Sequence, residues 1–299
     1  MKKIGMIGIG LMGHGIASNL VKKGQSLTVL EHPGNQPLDG LKAQGVTSVN
    51  TPKELAAQVD VLILCVTGTP QVEAVLTGTT NENGGNDGVL SALRPGTIII
   101  DCSTAVPAST ERMAKLVHDA GGRFIDSPMT RTPKEAAEGR LNLLVGGEKE
   151  LFDDVHPILA CFAENITYSG PVGSGHIMKL LHNYVSLGAL TLIAEAAASA
   201  KRLGIDTETF VQVLEQGGGH GAALTRIKPY LLSGDAGNMR FSISNAHKDL
   251  GYYNQMTEDA KLDNTIAAAV METLGEAKEQ GDPNGFLPEM ATRIAERKA

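Results

Sequence analysis

Residues 3–168 alternate short apolar runs with stretches in which apolar residues recur at helical spacing. The clearest runs are rich in β-branched or aliphatic residues: KIGMIGIG, SLTVLE, VDVLILCV, GTIIIDCS, GRFIDS and LNLLVGG. Helix starts stand between them, at Thr51-Pro52 with Glu54 and at Pro107 with Ser109. This alternation predicts an α/β unit, in which a mostly parallel, doubly wound sheet carries helices on both faces.

The pattern changes after Gly175. From there to Leu203 only Gly188 interrupts the helical pattern, which predicts a rod of about 43 Å at about 1.5 Å per residue. Beyond the rod the spacing is helical throughout, and Asp206 is placed to cap the next helix. The sequence therefore predicts an α/β domain at 1–170, an interdomain helix at 171–203 and an all-helical domain at 204–299.

Composition narrows the possible partners. The 299 residues are 42% hydrophobic and carry a formal charge of -7, so we expect a globular chain with no general attraction to nucleic acid or anionic membranes. The longest apolar stretch, YVSLGALTLIA, is too short to span a bilayer. Cys65, Cys102 and Cys161 stand in apolar surroundings, which indicates buried free thiols and a cytoplasmic location. With no HExxH or paired Cys/His spacing, no metal is expected.

The stretch MIGIGLMGHGIASNL places three glycines directly after an apolar strand and at the start of a helix. Gly8 allows the tight turn, Gly10 lets a pyrophosphate approach the backbone, and Gly13 lets helix and strand pack closely. Because a strand precedes the GxGxxG pattern and a helix follows it, the spacing predicts a dinucleotide site in a Rossmann-type domain rather than an unrelated glycine-rich turn.

Glu31 ends the next strand at the distance expected for a ribose-binding acid. Its carboxylate would accept hydrogen bonds from the ribose diol and repel a 2′-phosphate, and the following HPGNQP contains no arginine to neutralise one. NAD is therefore favoured, with NADP possible. In the alternative, Glu31 turns outward and His32 with backbone amides accepts the phosphate.

Lys179 stands in an apolar part of the long helix, GPVGSGHIMKLLHNYVSLGAL. An ammonium group there is costly unless it is paired or hydrated in a cleft, so we expect its tip to face a pocket. Asn183 follows one turn later on the same face, where one substrate could meet both groups. Desolvation would favour the neutral amine, which suits a general acid or base. The alternative is a lysine that extends to solvent from a partly exposed helix.

The segment SPMTRTP, residues 127–133, sets Arg131 between Thr130 and Thr132, with a proline at each end to restrict the backbone. Three hydrogen-bond donors in one short loop can hold an anion. The segment therefore predicts a local anion site in a chain that is acidic overall.

Taken together, these stretches resemble the β-hydroxyacid dehydrogenase family, which includes 3-hydroxyisobutyrate dehydrogenase, tartronate semialdehyde reductase and sulfolactaldehyde reductase. IGMIGIGLMGHGIASNL looks like the cofactor signature of that family, and DCST and DSPMTRT look like its two central loops. GSGHIMKLLHN is similar to its catalytic GxGxxxKxxxN segment, and FSISNAHKDLG is similar to its late KDL motif. The resemblance spans nearly the whole chain and implies an NAD(P)-dependent oxidoreductase.

The resemblance also implies roles for individual residues. Lys179 is the catalytic acid or base and Asn183 is its partner, while Lys248 and Asp249, with Phe241, close a cleft from the helical domain. The implied substrate-binding residues are Ser103, Thr130, Arg131, Thr132 and Phe241. The implied cofactor-binding residues are Gly8, Gly10, Leu11, Met12, Gly13, Glu31, Val66, Thr67, Thr104, Lys248 and Asp249. Without the resemblance, HKDLG is typical of a solvated helix start.

The chain departs from the common family pattern in the second central loop. There the family has serine-glycine-glycine, whose backbone amides bind a substrate carboxylate, whereas this chain has Thr130, Arg131 and Thr132. Sulfolactaldehyde reductases carry a similar glycine-arginine-threonine version. Arginine suits a sulfonate or phosphonate as well as a carboxylate, so the loop predicts an acidic head group of one of these kinds. In the alternative, Arg131 pairs with Glu135 or Glu138 and has only a structural role.

We therefore expect a dehydrogenase that moves a hydride between nicotinamide and a short hydroxy acid. Two other functions stay open, a cofactor-binding regulator without turnover and an imine reductase on the same architecture. The long apolar helix needs cover on all sides and the helical half has few aromatic residues, so a homodimer or higher homo-oligomer is expected.

Overall fold

A computed structural model describes residues 2–78 and 86–297. It divides into two compact units, Met1–Lys179 and Leu180–Ala299. The division falls inside the helix predicted for 171–203, and each unit is described here by itself.

The first unit is built on a nine-stranded sheet in the order β3-β2-β1-β4-β5-β6-β8-β7, with β9 paired to β8. Its first six strands are parallel, and the chain order reverses at β1, which lies between β2 and β4. Ligands of open α/β sheets bind outside the carboxyl ends of the strands at such a reversal. The strands are β1 Ile4–Ile7, β2 Leu27–Leu30, β3 Thr47–Val49, β4 Val61–Leu64, β5 Ile98–Asp101, β6 Arg123–Asp126, β7 Met129–Thr130, β8 Leu141–Gly146 and β9 Ala163–Gly170.

The predicted parallel α/β fold is confirmed, and all six predicted strands are present. The sequence analysis missed three strands, of which β3 has three residues and β7 has two. The third, β9, has no fully buried residue, so its apolar pattern is weak. The far end of the sheet is mixed, because β8 runs antiparallel to β6 and β7 and parallel to β9.

Helices cover both faces of this sheet and enclose two cores. One core packs Ile16 and Leu20 against the strands, and the other is centred on Leu55 and Leu62. Thr51 forms the predicted capping box with Glu54, and one helix begins at Pro107 as predicted. The helices are α1 Leu11–Lys22, α2 Asp39–Lys42, α3 Pro52–Ala56, α4 Thr69–Thr77, α5 Pro107–Asp119, α6 Pro133–Glu138 and α7 Lys149–Leu159.

Helix α8, Ser174–Arg202, is the predicted rod, and its 29 residues run from the first unit into the second. Among the described residues it is the one helix long and apolar enough to cross a bilayer by length and composition, a property that buried core helices share; 44% of the qualifying window is buried. The segment YVSLGALTLIA is thus part of a longer helix than its own length suggested.

The second unit is helical, as predicted. Its core packs Leu187 and Leu190 of α8 against Leu250 and Leu274. Asp206 accepts a hydrogen bond from the backbone N–H of Thr209, which confirms the predicted cap. The remaining helices are α9 Thr207–Gln216, α10 Ala222–Ser233, α11 Ile243–Asp259, α12 Thr265–Glu279 and α13 Met290–Glu296.

Candidate active site

The three glycines of the loop after β1 differ in what a side chain at each position would contact. Gly8 has a φ of 95°, and a Cβ there would lie 2.2 Å from the carbonyl oxygen of Cys65. A Cβ on Gly13 would lie 1.9 Å from the carbonyl oxygen of Gly8, so the helix packs against the loop too closely for any side chain. A Cβ on Gly10 would meet nothing within 4 Å. The open space at Gly10, at the start of α1, fits a pyrophosphate on a helix N-terminus.

Leu11 and Met12 form the first turn of α1. The N–H groups of a first helical turn have no partner within the helix, and no side chain caps this turn at Gly10, so these donors are available to a ligand at the start of α1. Leu11 is exposed, whereas Met12 packs partly against the core. Their contribution to cofactor binding would come from the backbone rather than from the side chains.

Glu31 follows β2 and is tied to the next two elements. Its Oε1 accepts a hydrogen bond from Lys42 Nζ at 2.6 Å and one from Ser48 Oγ at 2.7 Å. The bond from Lys42, followed by that from Ser48, lowers the pKa of Glu31. His32 Nδ1 accepts from the N–H of Gly34, so its ring is turned back onto its own loop. Lys42 therefore places a cation beside Glu31, although the segment HPGNQP contains no arginine.

The loops after β4 and β5 are joined by Ser103. Its Oγ accepts a hydrogen bond from the N–H of Val66 at 3.0 Å, and its own N–H donates to Asp101 Oδ1 at 2.9 Å. Ser103 is buried and its hydroxyl joins the two loops, while the substrate contact that the resemblance implied for it stays a prediction. Thr104 is half-buried and Thr67 is exposed, both at the carboxyl edge of the sheet where a nicotinamide contact is expected.

The segment 130–132 does not present three unoccupied donors. Arg131 donates to the Glu164 carboxylate and to the carbonyl of Arg140, and Thr132 Oγ1 donates to Glu135 Oε2 at 2.5 Å. Thr130 Oγ1 accepts from Asn142 Nδ2 at 3.1 Å. The predicted alternative partners of Arg131, Glu135 and Glu138, are thus wrong, because the side chain reaches across to β9 instead.

Arg131 also has an unusual backbone. Its φ of 81° lies in the left-handed region, which costs a residue with a Cβ about 1–2 kcal/mol. The common family pattern has glycine here, the residue that adopts this conformation freely. Since such strain in folded proteins clusters at functional sites, the arginine at this position calls for an explanation.

Lys179 lies in the second turn of α8 and is buried, with 8% of its surface exposed. Its Nζ donates to the backbone carbonyl of Met129 at 2.7 Å. This contact rules out a lysine that extends to solvent, and it ties the ammonium group to the residue before Thr130. The predicted acid or base and the predicted head-group loop are therefore linked through one carbonyl group.

In the second unit, Asn183 and the KDL motif form one hydrogen-bonded group. Asn183 Nδ2 donates to Asp249 Oδ2 at 2.6 Å, and Lys248 Nζ lies 3.2 Å from Asp249 Oδ1. Because a carboxylate only accepts, this bond fixes the amide so that its Oδ1 faces His182 Nδ1, 3.0 Å away. Asp249 is buried, so the segment is not a solvated helix start, and its carboxylate contacts Asn183 directly.

Phe241 lies just before α11 and packs, partly buried, against the core of the second unit. Lys248 lies 5.5 Å from the ring centroid of Tyr252. The implied roles of Phe241 and Lys248 in substrate and cofactor binding stay predictions.

Two family models match successive parts of the chain. Residues 3–170 match the NAD binding domain of 6-phosphogluconate dehydrogenase, and residues 173–286 match the NAD-binding domain of NADP-dependent 3-hydroxyisobutyrate dehydrogenase. The chain belongs to the β-hydroxyacid dehydrogenase family. It is therefore an NAD(P)-binding oxidoreductase that acts on a CH–OH group.

Two relatives of this dehydrogenase are named for small hydroxy acids. The 2-(hydroxymethyl)glutarate dehydrogenase of Eubacterium barkeri is 30% identical over 83% of this chain and 80% of its own. The 2-hydroxy-3-oxopropionate reductase of Escherichia coli (strain K12) is 33% identical over 72% of this chain and 70% of its own. These relatives indicate a small-molecule substrate.

Solved structures show the same fold. Mycobacterium tuberculosis 3-hydroxyisobutyrate dehydrogenase, solved with L-serine, has a TM-score of 0.84 at 23% identity and covers 98% of this chain and 99% of its own. An imine reductase from Myxococcus stipitatus shares the fold more distantly, with a TM-score of 0.62 at 18% identity over 98% of this chain and 99% of its own.

Sequence reasoning missed several side chains of this dehydrogenase that contact the predicted site residues. Nothing local in the sequence marks Lys42 and Ser48 as partners of Glu31, or Glu164 as the partner of Arg131, since 11 to 33 residues separate each pair. His182, beside Asn183, is the exception that adjacency could have flagged. No group of three or more His, Cys, Asp or Glu side chains suited to a metal ion occurs within residues 2–78 and 86–297.

Proposed function

We propose that this chain catalyses reversible hydride transfer between a nicotinamide cofactor and a short-chain hydroxy acid or its carbonyl form. The observation that carries the proposal is Lys179, a buried ammonium group that donates to the Met129 carbonyl in the unit that also carries the glycine loop. The open space beside Gly10 supports the fit of a dinucleotide to that unit. When bound, the nicotinamide supplies the carbon that donates or accepts the hydride.

Lys179 handles the proton. In oxidation its neutral amine takes the proton of the substrate hydroxyl, and in reduction its ammonium form protonates the carbonyl oxygen. The Met129 carbonyl limits the directions in which Nζ can point, so the group is already oriented when substrate arrives.

Asn183 follows Lys179 by four residues on α8, so the two side chains leave the helix on the same face. With its amide fixed by Asp249, Asn183 has one further N–H and one further lone pair with which to steady a substrate hydroxyl. We assign Asp249 to this orienting role and leave Lys248 as the cofactor contact of the KDL motif.

The head group of the substrate is acidic and binds at residues 130–132. The left-handed backbone at Arg131 supports this assignment, because a strained arginine has replaced the residue that fits best. Glu164 holds the guanidinium in the structure, so a sulfonate, phosphonate or carboxylate must share Arg131 with Glu164 or displace it. Tetrahedral head groups, with three acceptor oxygens, have the advantage in that competition.

NAD is the preferred cofactor and NADP a possible one. Glu31 follows β2, and its carboxylate would accept hydrogen bonds from the ribose diol, while the adjacent Lys42 would partly neutralise its repulsion of a 2′-phosphate. We therefore propose a modest preference rather than strict selection.

The two other candidate functions have less support. A cofactor-binding regulator has no need of a buried, oriented Lys179 beside the loop at 130–132. An imine reductase needs a proton donor, but an anion-binding arginine in the substrate loop fits an acid better than an amine.

Assembly through α8 is the last part of the proposal. Leu181, Val185 and Leu192 leave the helix on one side and are 40%, 68% and 61% exposed, so the second unit has an uncovered apolar stripe. A second copy of the chain would cover it, and we propose a homodimer or higher homo-oligomer in the cytoplasm. Light scattering at micromolar concentration would measure the state directly.

Lys179→Ala tests the proposed chemistry. We expect a loss of about 10²-fold to 10⁴-fold in turnover with cofactor binding intact, the usual contribution of a general acid or base. The assay is a panel of C3 to C5 hydroxy acids with carboxylate, sulfonate and phosphonate heads and both cofactors. A variant with near wild-type turnover would remove Lys179 from the reaction, and a wild-type chain inactive on the whole panel would favour the regulator.

A further inference from the structure

The first unit contains a buried cluster of ionisable side chains that takes no direct part in the proposed reaction. Asp101, Asp126 and His176 are each fully buried, at the ends of β5 and β6 and in the first turn of α8. His176 Nδ1 lies 3.7 Å from Asp126 Oδ2, and its Nε2 lies 4.0 Å from Asp101 Oδ2. Fully buried charged groups are rare unless the fold gives them partners.

Asp126 is bound to the start of α8. Its two carboxylate oxygens accept from the N–H groups of Gly173 at 2.8 Å and His176 at 2.9 Å. His176 lies in the first turn of α8 and Gly173 directly precedes the helix, so neither N–H has a partner inside it, and the positive end of a long helix favours an anion there. Burial nevertheless raises the pKa of Asp126.

Two glycines make room for this carboxylate. A Cβ on Gly146 would lie 2.7 Å from Asp126 Oδ1, and a Cβ on Gly175 would lie 2.7 Å from Asp126 Oδ2. Strand β8 and the first turn of α8 thus approach Asp126 from two sides, each at a position without a side chain. The start of the helix has little freedom to shift relative to the sheet.

His176 extends this attachment to the loop after β5. Its Nε2 lies 3.1 Å from the carbonyl oxygen of Ser103, which can only accept, so Nε2 carries a proton. Its Nδ1 lies 2.8 Å from the hydroxyl of Thr110 on α5. Since Ser103 Oγ in turn accepts from the N–H of Val66, one imidazole links α8 to the loops after both β4 and β5.

Lys179 is three residues beyond His176, less than one turn along the same helix. We propose that His176, seated on Asp126, is a positioning residue that sets Lys179 in register with the Ser103-Thr104 loop. The inference rests on the proposed role of Lys179. His176 acts through the backbone of Ser103 and the first turn of α8, and it does not touch the substrate.

The principal test compares His176→Gln with His176→Leu. Glutamine keeps one donor for Ser103 O and one acceptor for Thr110, whereas leucine keeps neither. We expect His176→Leu to lower kcat roughly 10-fold to 100-fold, the scale of an ångström-sized misplacement, while Kd for NADH changes less than threefold or so. His176→Gln should recover most of the loss. Thr97→Val, which removes a buried hydroxyl at the opposite end of β5, is the matched control and should leave kcat unchanged.

A double-variant cycle separates positioning from general stability. If His176 acts through Lys179, then His176→Leu should have little further effect on kcat in a Lys179→Ala background. Thr110→Val, which removes only the hydroxyl on Nδ1, should lower kcat in the same direction by a smaller factor and serves if His176→Leu does not fold.

Three results would overturn the inference: wild-type kcat in folded His176→Leu or Thr110→Val, equal losses in the glutamine and leucine variants, or losses that multiply with that of Lys179→Ala. Failure of the proposed function has a different signature. In that case Lys179→Ala itself keeps its turnover, whatever the His176 variants do.

Discussion

The glycine loop after β1 and the proposed substrate loop at 130–132 both lie at strand ends of the same sheet, yet the first depends on backbone geometry and the second on side chains. In the first, backbone geometry decides the arrangement: a Cβ on Gly8 or Gly13 would clash with a backbone carbonyl, and the space beside Gly10 is open. In the second, side chains carry the arrangement. Each of the three side chains, Thr130, Arg131 and Thr132, forms a hydrogen bond with another side chain, and the backbone at Arg131 is strained.

The difference explains why one loop could be predicted in detail and the other only in outline. Glycine spacing reports directly on backbone geometry, because Gly8 and Gly13 leave no room for a side chain and Gly10 leaves open space at the start of α1. An arginine reports only that a cation is present. Its partner is decided by the tertiary fold, and Glu164 is 33 residues away on a strand that the sequence did not reveal.

The largest expected effect comes from Gly13→Ala, compared with Gly10→Ala. The first variant forces a methyl group to within 1.9 Å of the Gly8 carbonyl, so we expect the free energy of unfolding to fall by about 1–3 kcal/mol and cofactor binding to be lost. The second should leave the melting temperature unchanged and weaken NADH binding by roughly 10-fold to 100-fold, because its methyl group meets only the ligand.

Thermal melting and NADH titration distinguish the two outcomes. A Gly10→Ala protein that binds NADH like the wild type would show that the open space beside this residue is not the pyrophosphate site. The division between a steric glycine and a ligand-approach glycine would then fail.

The fold itself was largely predictable, and the site less so. Six strands, the capping box at Thr51 and the long helix follow from periodicity and local residue chemistry. The proposed role of Asp249 does not, because a buried carboxylate on Asn183 arises from the packing of α11 against α8, 66 residues apart. Where a residue's partner is set by tertiary structure, composition and spacing leave its role open.

The second prediction tests the substrate loop by restoring the common family residue. Arg131→Gly relieves the left-handed strain while it removes the guanidinium, whereas Arg131→Ala removes the guanidinium and keeps the strain. Both should lower kcat/KM for sulfonate and phosphonate substrates by roughly 2–3 kcal/mol, the scale of a lost charge-assisted hydrogen bond. Only Arg131→Ala should also lower the melting temperature, and Arg131→Lys should recover activity incompletely because it lacks the planar fork.

Equal, small losses for every head group would leave Arg131 structural. Glu164→Gln sharpens the distinction, since it removes the charge that competes for the guanidinium but keeps a hydrogen-bond acceptor. If an acidic head group shares Arg131 with Glu164, this variant should lower KM by a few-fold. If the Arg131–Glu164 pair only joins the loop to β9, KM should not move.

The smallest expected effect is on cofactor preference and concerns the side chain of Glu31, which follows β2. The preference for NADH over NADPH should narrow by roughly tenfold in Glu31→Ala, since the carboxylate that repels a 2′-phosphate is gone.

Lys42→Met should change the cofactor preference in the opposite direction. It removes the cation that partly neutralises Glu31, and at 45% side-chain exposure the pair is weak enough that we expect only a change of about threefold to fivefold. Because the hydrogen bonds from Lys42 and then Ser48 lower the pKa of Glu31, the carboxylate is ionised at neutral pH, and the wild-type preference should be flat from about pH 7 to 8, where a 2′-phosphate is also fully charged. The measurement is the ratio of kcat/KM values for the two cofactors. The control is Gln44→Ala, on the exposed surface beyond α2. Gly24→Ala would be unsuitable as a control, because the φ of 79° at this residue would strain any side chain. A wild-type enzyme that clearly prefers NADPH, or a Lys42→Met variant with an unchanged ratio, would show that the side chains after β2 do not select the cofactor and that the backbone governs this loop as well.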